Sequence, residues 1–215
     1  MFDLHCHILP GVDDGARSVT ESRDMLRAAK KQGIDTIMCT PHCRWSSFDR
    51  SLICAAFSEM EKYANDLGIS LQLGYEVNWR KLFELGIERA PEFTLGDTNL
   101  FLLELSDDAM PTNWQRFIYS LQAMDLQVII AHPERYRAVQ KNLDIAHELK
   151  NMGCYLQLSA NFIEGGAFDA RRRTAAALLR EDLVDYVASD AHRVGDYATF
   201  ARALAFCRQP KHDRR

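Results

Sequence analysis

Five of the seven histidines in this 215-residue chain stand at or just past the end of a short apolar run: His5 and His7 in DLHCH, His42 in TPH, His132 in AHPER and His192 in SDAH. Carboxylates occupy matching places: Asp14 in the first loop, Glu76 after a third apolar run, Glu104 inside FLLEL, and Asp190 beside His192. Imidazole nitrogen and carboxylate oxygen in this mixture suit zinc, manganese or iron. These groups exceed what one ion of about four to six coordination positions can use, so two or three ions bridged by carboxylates are expected. Ions roughly 3.5–4 Å apart can clamp both the attacking and the leaving oxygen of a phosphoryl transfer. Alternation along a strand puts both rings of His5-Cys6-His7 on one side and leaves Cys6 to the core. A carboxylate inside FLLEL would be buried, and a buried charge needs a partner.

The elements that must position these groups follow a regular order. Strands are expected at Phe2–His5, Ile34–Thr40, Ser70–Tyr75, Leu100–Leu105, Gln127–Ala131, Cys154–Leu158 and Asp185–Ser189. Helices are expected between and after them: one opened by Ser18 with Glu21 in capping-box spacing and closed near Gly33, then Leu52–Leu67, Leu82–Arg89, Asn113–Met124, Leu143–Met152, Asp169–Leu183 and Ala198–Phe206. About seven β-α units of this kind call for a parallel sheet covered by helices, either an open doubly wound sheet or a barrel. Both architectures gather ligands at the carboxyl edge of the strands, where the histidines and acids fall.

Composition narrows the classes. Hydrophobic residues at 47% and charged residues at 26% are enough for a sizeable single core, and a formal charge of −4 offers no track for nucleic acid or an anionic membrane. No apolar run approaches the roughly 18–20 residues of a membrane-spanning helix, and the first residues lack a basic n-region, so the chain reads as cytoplasmic without membrane insertion. The six cysteines contain no C-x-x-C and read as reduced, mostly buried thiols. None has an arginine six positions on, which excludes a cysteine-nucleophile phosphatase, and no G-x-x-x-x-G-K-[ST] is present for a P-loop enzyme.

In order across residues 3–192, DLHCHILPGVDDGA, TPH, GYEV, FLLEL, AHPERY and SDAH resemble the PHP (polymerase and histidinol phosphatase) superfamily, and within it the manganese-dependent tyrosine-protein phosphatases of the CpsB/CapC/YwqE type. The resemblance implies a distorted (β/α)7 TIM-like barrel over residues 1–208, a charged tail at 209–215, and a trinuclear metal cluster. By motif, His5, His7, Glu76 and Asp190 would hold one ion. Glu76 would bridge to a second with Glu104 and His132, and Asp14, His42 and His192 would hold a third. Arg135 of HPER corresponds to the family's phosphate-binding arginine. Mn2+ is the implied metal, with iron, zinc or magnesium as alternatives. The implied partner is a phosphotyrosine protein, a bacterial tyrosine autokinase of capsule or exopolysaccharide synthesis. Family members usually continue past SDAH through two helices, whereas here one helix and a short charged end are expected. Arg193 is the nearest candidate for a further substrate-binding arginine. Trp45, with Phe48, Trp79 and Tyr136, could line a slot for an aromatic substrate, although ordinary packing explains each as well.

The expected activity is hydrolysis of a phosphoric monoester by a metal-activated hydroxide, with Arg135 on the equatorial oxygens. A phenolate leaving group, of pKa roughly 10, needs less help from a general acid than an alkoxide. A small-molecule phosphatase of the histidinol-phosphate type would use the same site with a different rim, and a non-catalytic metal-binding regulator is the alternative from another class. A metal-dependent amidohydrolase shares the H-x-H and a late Asp, but commonly relies on a bridging lysine rather than Glu76 and Glu104.

Overall fold

The computed structural model describes residues 1–44, 48–108 and 110–208, and each expected strand forms within them. The elements are β1 (Phe2–Cys6), α1 (Val19–Lys31), β2 (Thr36–Cys39), β3 (His42–Cys43), α2 (Arg50–Asp66), β4 (Ser70–Leu73), β5 (Glu76–Asn78) and α3 (Trp79–Leu85). They continue with β6 (Leu100–Glu104), α4 (Trp114–Gln122), β7 (Gln127–Ala131), α5 (Arg137–Lys141), α6 (Asp144–Asn151), β8 (Tyr155–Ser159), α7 (Ala170–Arg180), β9 (Tyr186–Ala188) and α8 (Asp196–Cys207). Local chemistry sets most boundaries. The Ser18 hydroxyl accepts the Glu21 N–H at 3.2 Å and opens α1, but the Glu21 carboxylate accepts from the Arg17 N–H at 2.9 Å, so the reciprocal half of the box is shifted by one residue. Asp49 caps α2 through the N–H groups of Ser51 and Leu52.

The expected helix at Leu82–Arg89 is divided. Asn78 caps α3 three residues early, Gly86 at φ +99° ends it, and a 3-10 turn over Ile87–Phe93 takes up Pro91. The second and third expected strands end at Cys39 and Leu73, and each is followed by a short further strand that was not expected. Pro41 has no N–H to give a ladder, and Gly74 lets the chain pass Leu95, whose Cδ2 would lie 2.6 Å from a Cβ there. The pairing nevertheless continues across both gaps, with Gly74 N–H on Cys39 O at 2.9 Å and Glu76 N–H on Pro41 O at 3.3 Å. Thus β2 runs on into β3 and β4 into β5.

Every ladder is parallel. One sheet has the order β1-β2-β4 and the other β3-β5-β6-β7-β8-β9. These ladders define two sheets, and no closed barrel is defined among the described residues; of the barrel expectation, the mixed α/β architecture with parallel strands is what holds. The end of β1 meets the segment after β9 through a parallel bridge between Cys6 and Ala191. There the Asp190 N–H donates to His5 O at 2.8 Å and the His7 N–H to Ala191 O at 2.9 Å.

Most buried apolar residues pack between sheet and helices, Cys6 and Cys43 among them. A separate small cluster takes one or two residues from each of several strands: Leu4, Met38, Leu102, Ile129, Ala131 and Ala188, closed by Leu95. Burial of a side chain such as Leu102 or Ile129 stabilises by about 1.5–3 kcal/mol. Two residues further along the same strand face, Leu102 gives way to Glu104 and Ala188 to Asp190. The apolar cluster is therefore the floor on which the charged groups stand. No helix among the described residues is long and apolar enough to cross a membrane.

Candidate active site

Parallel strands end at one edge, and the nine acids and histidines singled out by sequence are placed there together. Their order is fixed by how each strand ends. A register shift between Asp3 and Cys6 in β1 turns His5 and His7 onto the face that Leu4 occupies lower down. Their Nε2 atoms lie 3.1 Å apart, while Cys6 points into the core on the other side. His132 and Asp190 follow β7 and β9 with φ of +35° and +50°, a left-handed backbone that costs a non-glycine residue about 1–3 kcal/mol. The strand thus turns sharply at the residue whose side chain must point inward.

Glu76, at the start of β5, is the centre of the constellation and is fully buried. Its Oε1 is 2.6 Å from His132 Nε2. Its Oε2 has His42 Nδ1 at 2.8 Å, His5 Nε2 at 3.3 Å and His7 Nε2 at 3.4 Å. Asp190 Oδ1 lies 3.5 and 3.4 Å from the same two Nε2 atoms of His5 and His7. Asp14 Oδ1, on the more open side, is 3.3 Å from His192 Nε2 and 3.5 Å from His42 Nε2. Three sets of ligand atoms are close enough to share an ion: His7, Asp14, His42 and His192; His5, His7 and Asp190; and His42, Glu76 and Glu104. His132 joins the constellation through Glu76.

The surrounding hydrogen bonds decide which nitrogen faces the centre. Gln157 donates its Nε2 to Leu158 O at 2.7 Å, which turns its Oε1 to accept from His5 Nδ1 at 2.8 Å. Asp13 Oδ2 accepts from His7 Nδ1 at 2.8 Å, and the His192 Nδ1 donates to Asp190 O at 2.9 Å. In all three the Nδ1–H is spent outward and the Nε2 faces inward. The lone pairs of His5 and His7 then converge with Glu76 Oε2 and Asp190 Oδ1, four acceptors without a donor among them. Protons or cations must neutralise that set, and N/O donors in this number fit two or more divalent ions.

The proton affinities agree. Burial alone would lower the His5 and His7 imidazoles, but Glu76 and Asp190 around His5, and Asp13 beside His7, outweigh it and hold both above the ordinary range. Burial alone would raise the Glu76 and Asp190 carboxyls; instead the imidazoles about Glu76, and Arg135 with His5 about Asp190, hold them well below it. Glu104 is the exception, raised by burial and by the charge of Glu76, although Asn78 Nδ2 at 2.8 Å and an Arg44 guanidinium N–H at 3.1 Å donate to it.

Several residues that are not candidate ligands support the centre. Asp13 has a fully buried side chain. Besides His7 it accepts the Gly15 N–H at 2.9 Å and the His42 N–H at 3.1 Å, tying the first loop to β3. Gly15 passes so near His7 that a Cβ would lie 2.0 Å from His7 O. The Ser159 hydroxyl donates to Asp190 Oδ2 at 2.9 Å. Gln157 could have been flagged as Glu104 was, because a polar side chain inside YLQLS must find a partner.

Arg135 donates from its guanidinium to Asp190 Oδ2 and to Ser159 Oγ, while its Nε finds no acceptor among the described residues. One fifth of its side chain is exposed. It borders a cleft of about 320 Å³ together with Arg171, Asp190 and His192. Arg193 lies elsewhere: one of its terminal nitrogens donates to Asp14 O, Gly15 O and His192 O, at 3.0, 2.6 and 2.6 Å, and so joins the two loops that carry Asp14 and His192. Tyr136 is wholly buried, donating to Ala131 O at 2.6 Å and accepting the Leu105 N–H at 3.0 Å, so it locks β6 to β7 rather than lining a slot. Phe48 packs edge-on against Tyr75 and Phe93. Trp79 does border open clefts. Trp45 lies outside the described residues.

Residues 1–207 match the family model described as "Capsular polysaccharide synthesis, CpsB/CapC". The chain is 31% identical over 198 residues to the tyrosine-protein phosphatase YwqE of Bacillus subtilis, covering 90% of this chain and 78% of that one. It is 30% identical over 206 residues to the tyrosine-protein phosphatase CpsB of Streptococcus pneumoniae, covering 90% and 84%. A solved structure, from work on YwqE of B. subtilis and CpsB of S. pneumoniae described as metal-dependent tyrosine phosphatases, superposes with a TM-score of 0.86 at 29% identity, over 96% of this chain and 85% of that one.

Proposed function

Because the chain belongs to the CpsB/CapC family of capsular polysaccharide synthesis, we propose that it is a metal-dependent protein-tyrosine phosphatase, a hydrolase of phosphoric monoesters. The observation that carries this reading is the convergence of inward Nε2 atoms and carboxylate oxygens around Glu76, with Arg135 at its border. The names of the relatives point the same way.

Divalent ions at this centre would supply Lewis-acid charge and lower the pKa of bound water for attack on phosphorus. His5, His7, Asp14, His42, Glu76, Glu104, His132, Asp190 and His192 are the residues that would hold them, Glu76 facing His132 with one oxygen and His5, His7 and His42 with the other. Gln157 and Asp13 fix the tautomers of His5 and His7, so the reactive geometry is set before substrate arrives. Asp190 is divided: Oδ2 is held by Arg135 and Ser159, and Oδ1 faces the imidazoles. Arg135 thereby stands beside the centre with its fork directed at the site, suited to two oxygens of a phosphoryl group. A phenolate, with pKa roughly 10, departs without a strong proton donor.

The finer assignments are part of the same proposal. The two sheets, joined where β1 meets the segment after β9, act as one seven-strand barrel-like wall around the apolar floor. Mn2+ is the working metal, a tyrosine autokinase is the phosphoprotein partner, and the reaction takes place in the cytoplasm. The test is hydrolysis of p-nitrophenyl phosphate, a phosphotyrosine peptide and histidinol phosphate, with Mn2+ and with EDTA, by the native protein and by His132→Ala. Mn2+-dependent turnover that favours the phosphotyrosine peptide and is lost in His132→Ala is expected. Preference for histidinol phosphate, or no turnover of any substrate, overturns the assignment.

A further inference from the structure

Two clefts meet at Trp79. The first, of about 420 Å³, is walled by Glu104 of the centre, by Asn78 and Ser106, and by charged side chains of both signs. The second, of about 300 Å³, also has Trp79 in its wall and lies among Phe83, Pro111 and Phe117. Trp79 and Phe83 are four residues apart on α3 and share one face of it. Their rings meet edge-on at 5.9 Å, and Phe83 stacks on Phe117 of α4 at 5.0 Å. Phe83 is nonetheless 56% exposed.

A single exposed apolar side chain needs no explanation. This one is held on both sides by other rings, faces a concave pocket, and shares Trp79 with the neighbouring cleft that reaches Glu104 of the proposed centre. A ring pocket held by two helices is preorganised for an apolar side chain, because little side-chain freedom remains to be lost on contact. The cleft beside it is lined instead by Asn78 and Ser106 and by charges of both signs, among them Arg80, Lys81, Glu84 and Asp108, groups that can pair with a peptide backbone and with its charged side chains.

We infer that these two neighbouring clefts are the docking surface for the polypeptide that carries the phosphotyrosine, with an apolar side chain flanking the phosphotyrosine seated among Trp79, Phe83 and Phe117. The inference rests on the phosphatase reading and adds a sequence preference to it. The phosphoryl group takes the centre, and the chain leaves on the Glu104 side, away from the cleft bordered by Arg135 and Arg171. An aryl phosphate without a peptide ends before the ring pocket and gains nothing from it.

The experiment compares p-nitrophenyl phosphate with two phosphotyrosine peptide sets, one with leucine and one with serine at positions near the phosphotyrosine, on native protein, Phe83→Ala and Phe83→Leu. Phe83→Ala is expected to leave kcat and KM for p-nitrophenyl phosphate unchanged and to raise KM for leucine-flanked peptides about tenfold. It should leave KM for serine-flanked peptides within about twofold, and Phe83→Leu should restore most of the loss. Equal losses on all substrates, or no loss on any, overturn the docking surface while native turnover still supports the phosphatase. If native protein turns over nothing, the phosphatase reading fails, and binding of a fluorescein-labelled leucine-flanked peptide decides the docking surface alone. Affinity that Phe83→Ala leaves unchanged overturns it, and an affinity loss of about tenfold upholds it.

Discussion

Replacing Asp13 with asparagine keeps the shape of the side chain and removes its charge, and the structure allows the outcome to be worked through atom by atom. Oδ2 accepts two hydrogen bonds, from His7 Nδ1 at 2.8 Å and His42 N at 3.1 Å, while Oδ1 accepts one from Gly15 N at 2.9 Å. An asparagine has one acceptor oxygen and an NH2 that can only donate. With its oxygen in the Oδ2 position the NH2 meets the Gly15 N–H; in the opposite orientation it meets two donors. The better arrangement still leaves one buried donor unpaired, at a cost of about 1–3 kcal/mol. It also exchanges a charged acceptor for a neutral one of roughly half the strength on the Nδ1–H of His7. Loss of a carboxylate behind a metal-binding imidazole typically lowers metal affinity by about 10–100-fold. Asp13→Asn is therefore expected to weaken Mn2+ binding by that factor, read by calorimetric titration of chelator-stripped protein, and to lower the Tm of the metal-free protein by roughly 2–4 °C for each kcal/mol lost. His147→Asn is the control, since His147 is exposed and pairs with Glu181 at 2.7 Å far from the centre. Unchanged Mn2+ affinity in Asp13→Asn would refute the orienting role and the tautomer argument that depends on it.

Gly15→Ala should impair metal binding and stability together, because its Cβ would lie 2.0 Å from His7 O, whereas Gly166→Ala, with nothing within 4 Å, should change neither; metal titration and melting of both variants check the contrast. Since His5 and His7 are held above the ordinary imidazole range by the carboxylates around them, metal must displace protons from them. Binding of Mn2+ at neutral pH should thus release protons, and affinity should rise as pH increases through and beyond roughly 6.5. Calorimetry in two buffers of different ionisation enthalpy measures that release, and its absence would count against protonated imidazoles in the metal-free protein. Ellman's reagent should label Cys54 and Cys207 in the native protein and reach Cys6, Cys39, Cys43 and Cys154 only on unfolding. Burial pushes the Cys43 and Cys154 thiols up to about 12. Labelling of more than two native thiols would contradict the packing described for the strands.

The alternation of apolar runs with helical segments was enough to order the elements, because each parallel strand must be buried on both faces and each crossover must be amphipathic. The H-x-H spacing and the acid inside FLLEL were legible for the same reason: a strand has a period of two, and a buried charge announces itself. Three kinds of feature were not legible. The pause at Gly74 depends on what the chain passes in space, Leu95, which no local pattern records. Elements as short as β3 and α5 span too few residues to show a period. Ser159 and Arg193 act mainly through partners distant in the sequence, and Asp13, although two of its partners are near, resembles by type alone any loop acid. The placement of Arg193 on three backbone oxygens makes it a brace for two loops, a role that spacing after SDAH could not distinguish from contact with substrate.

The junction where β1 meets the segment after β9 is built by the site itself, since the hydrogen bonds of Asp190 N–H to His5 O and His7 N–H to Ala191 O belong to residues assigned to hold metal. Closing so long a loop of chain carries an entropic cost that these two bonds, with the buried hydrogen bonds of Ser189 to Asp3 beside them, must offset. Ions shared among His5, His7, Asp190 and His192 would act there as a reversible cross-link between the two ends of the fold. Metal loading would then govern how often this junction opens as well as whether turnover occurs. Amide exchange at His7 and Asp190 should slow on Mn2+ binding by more than exchange in the helices does.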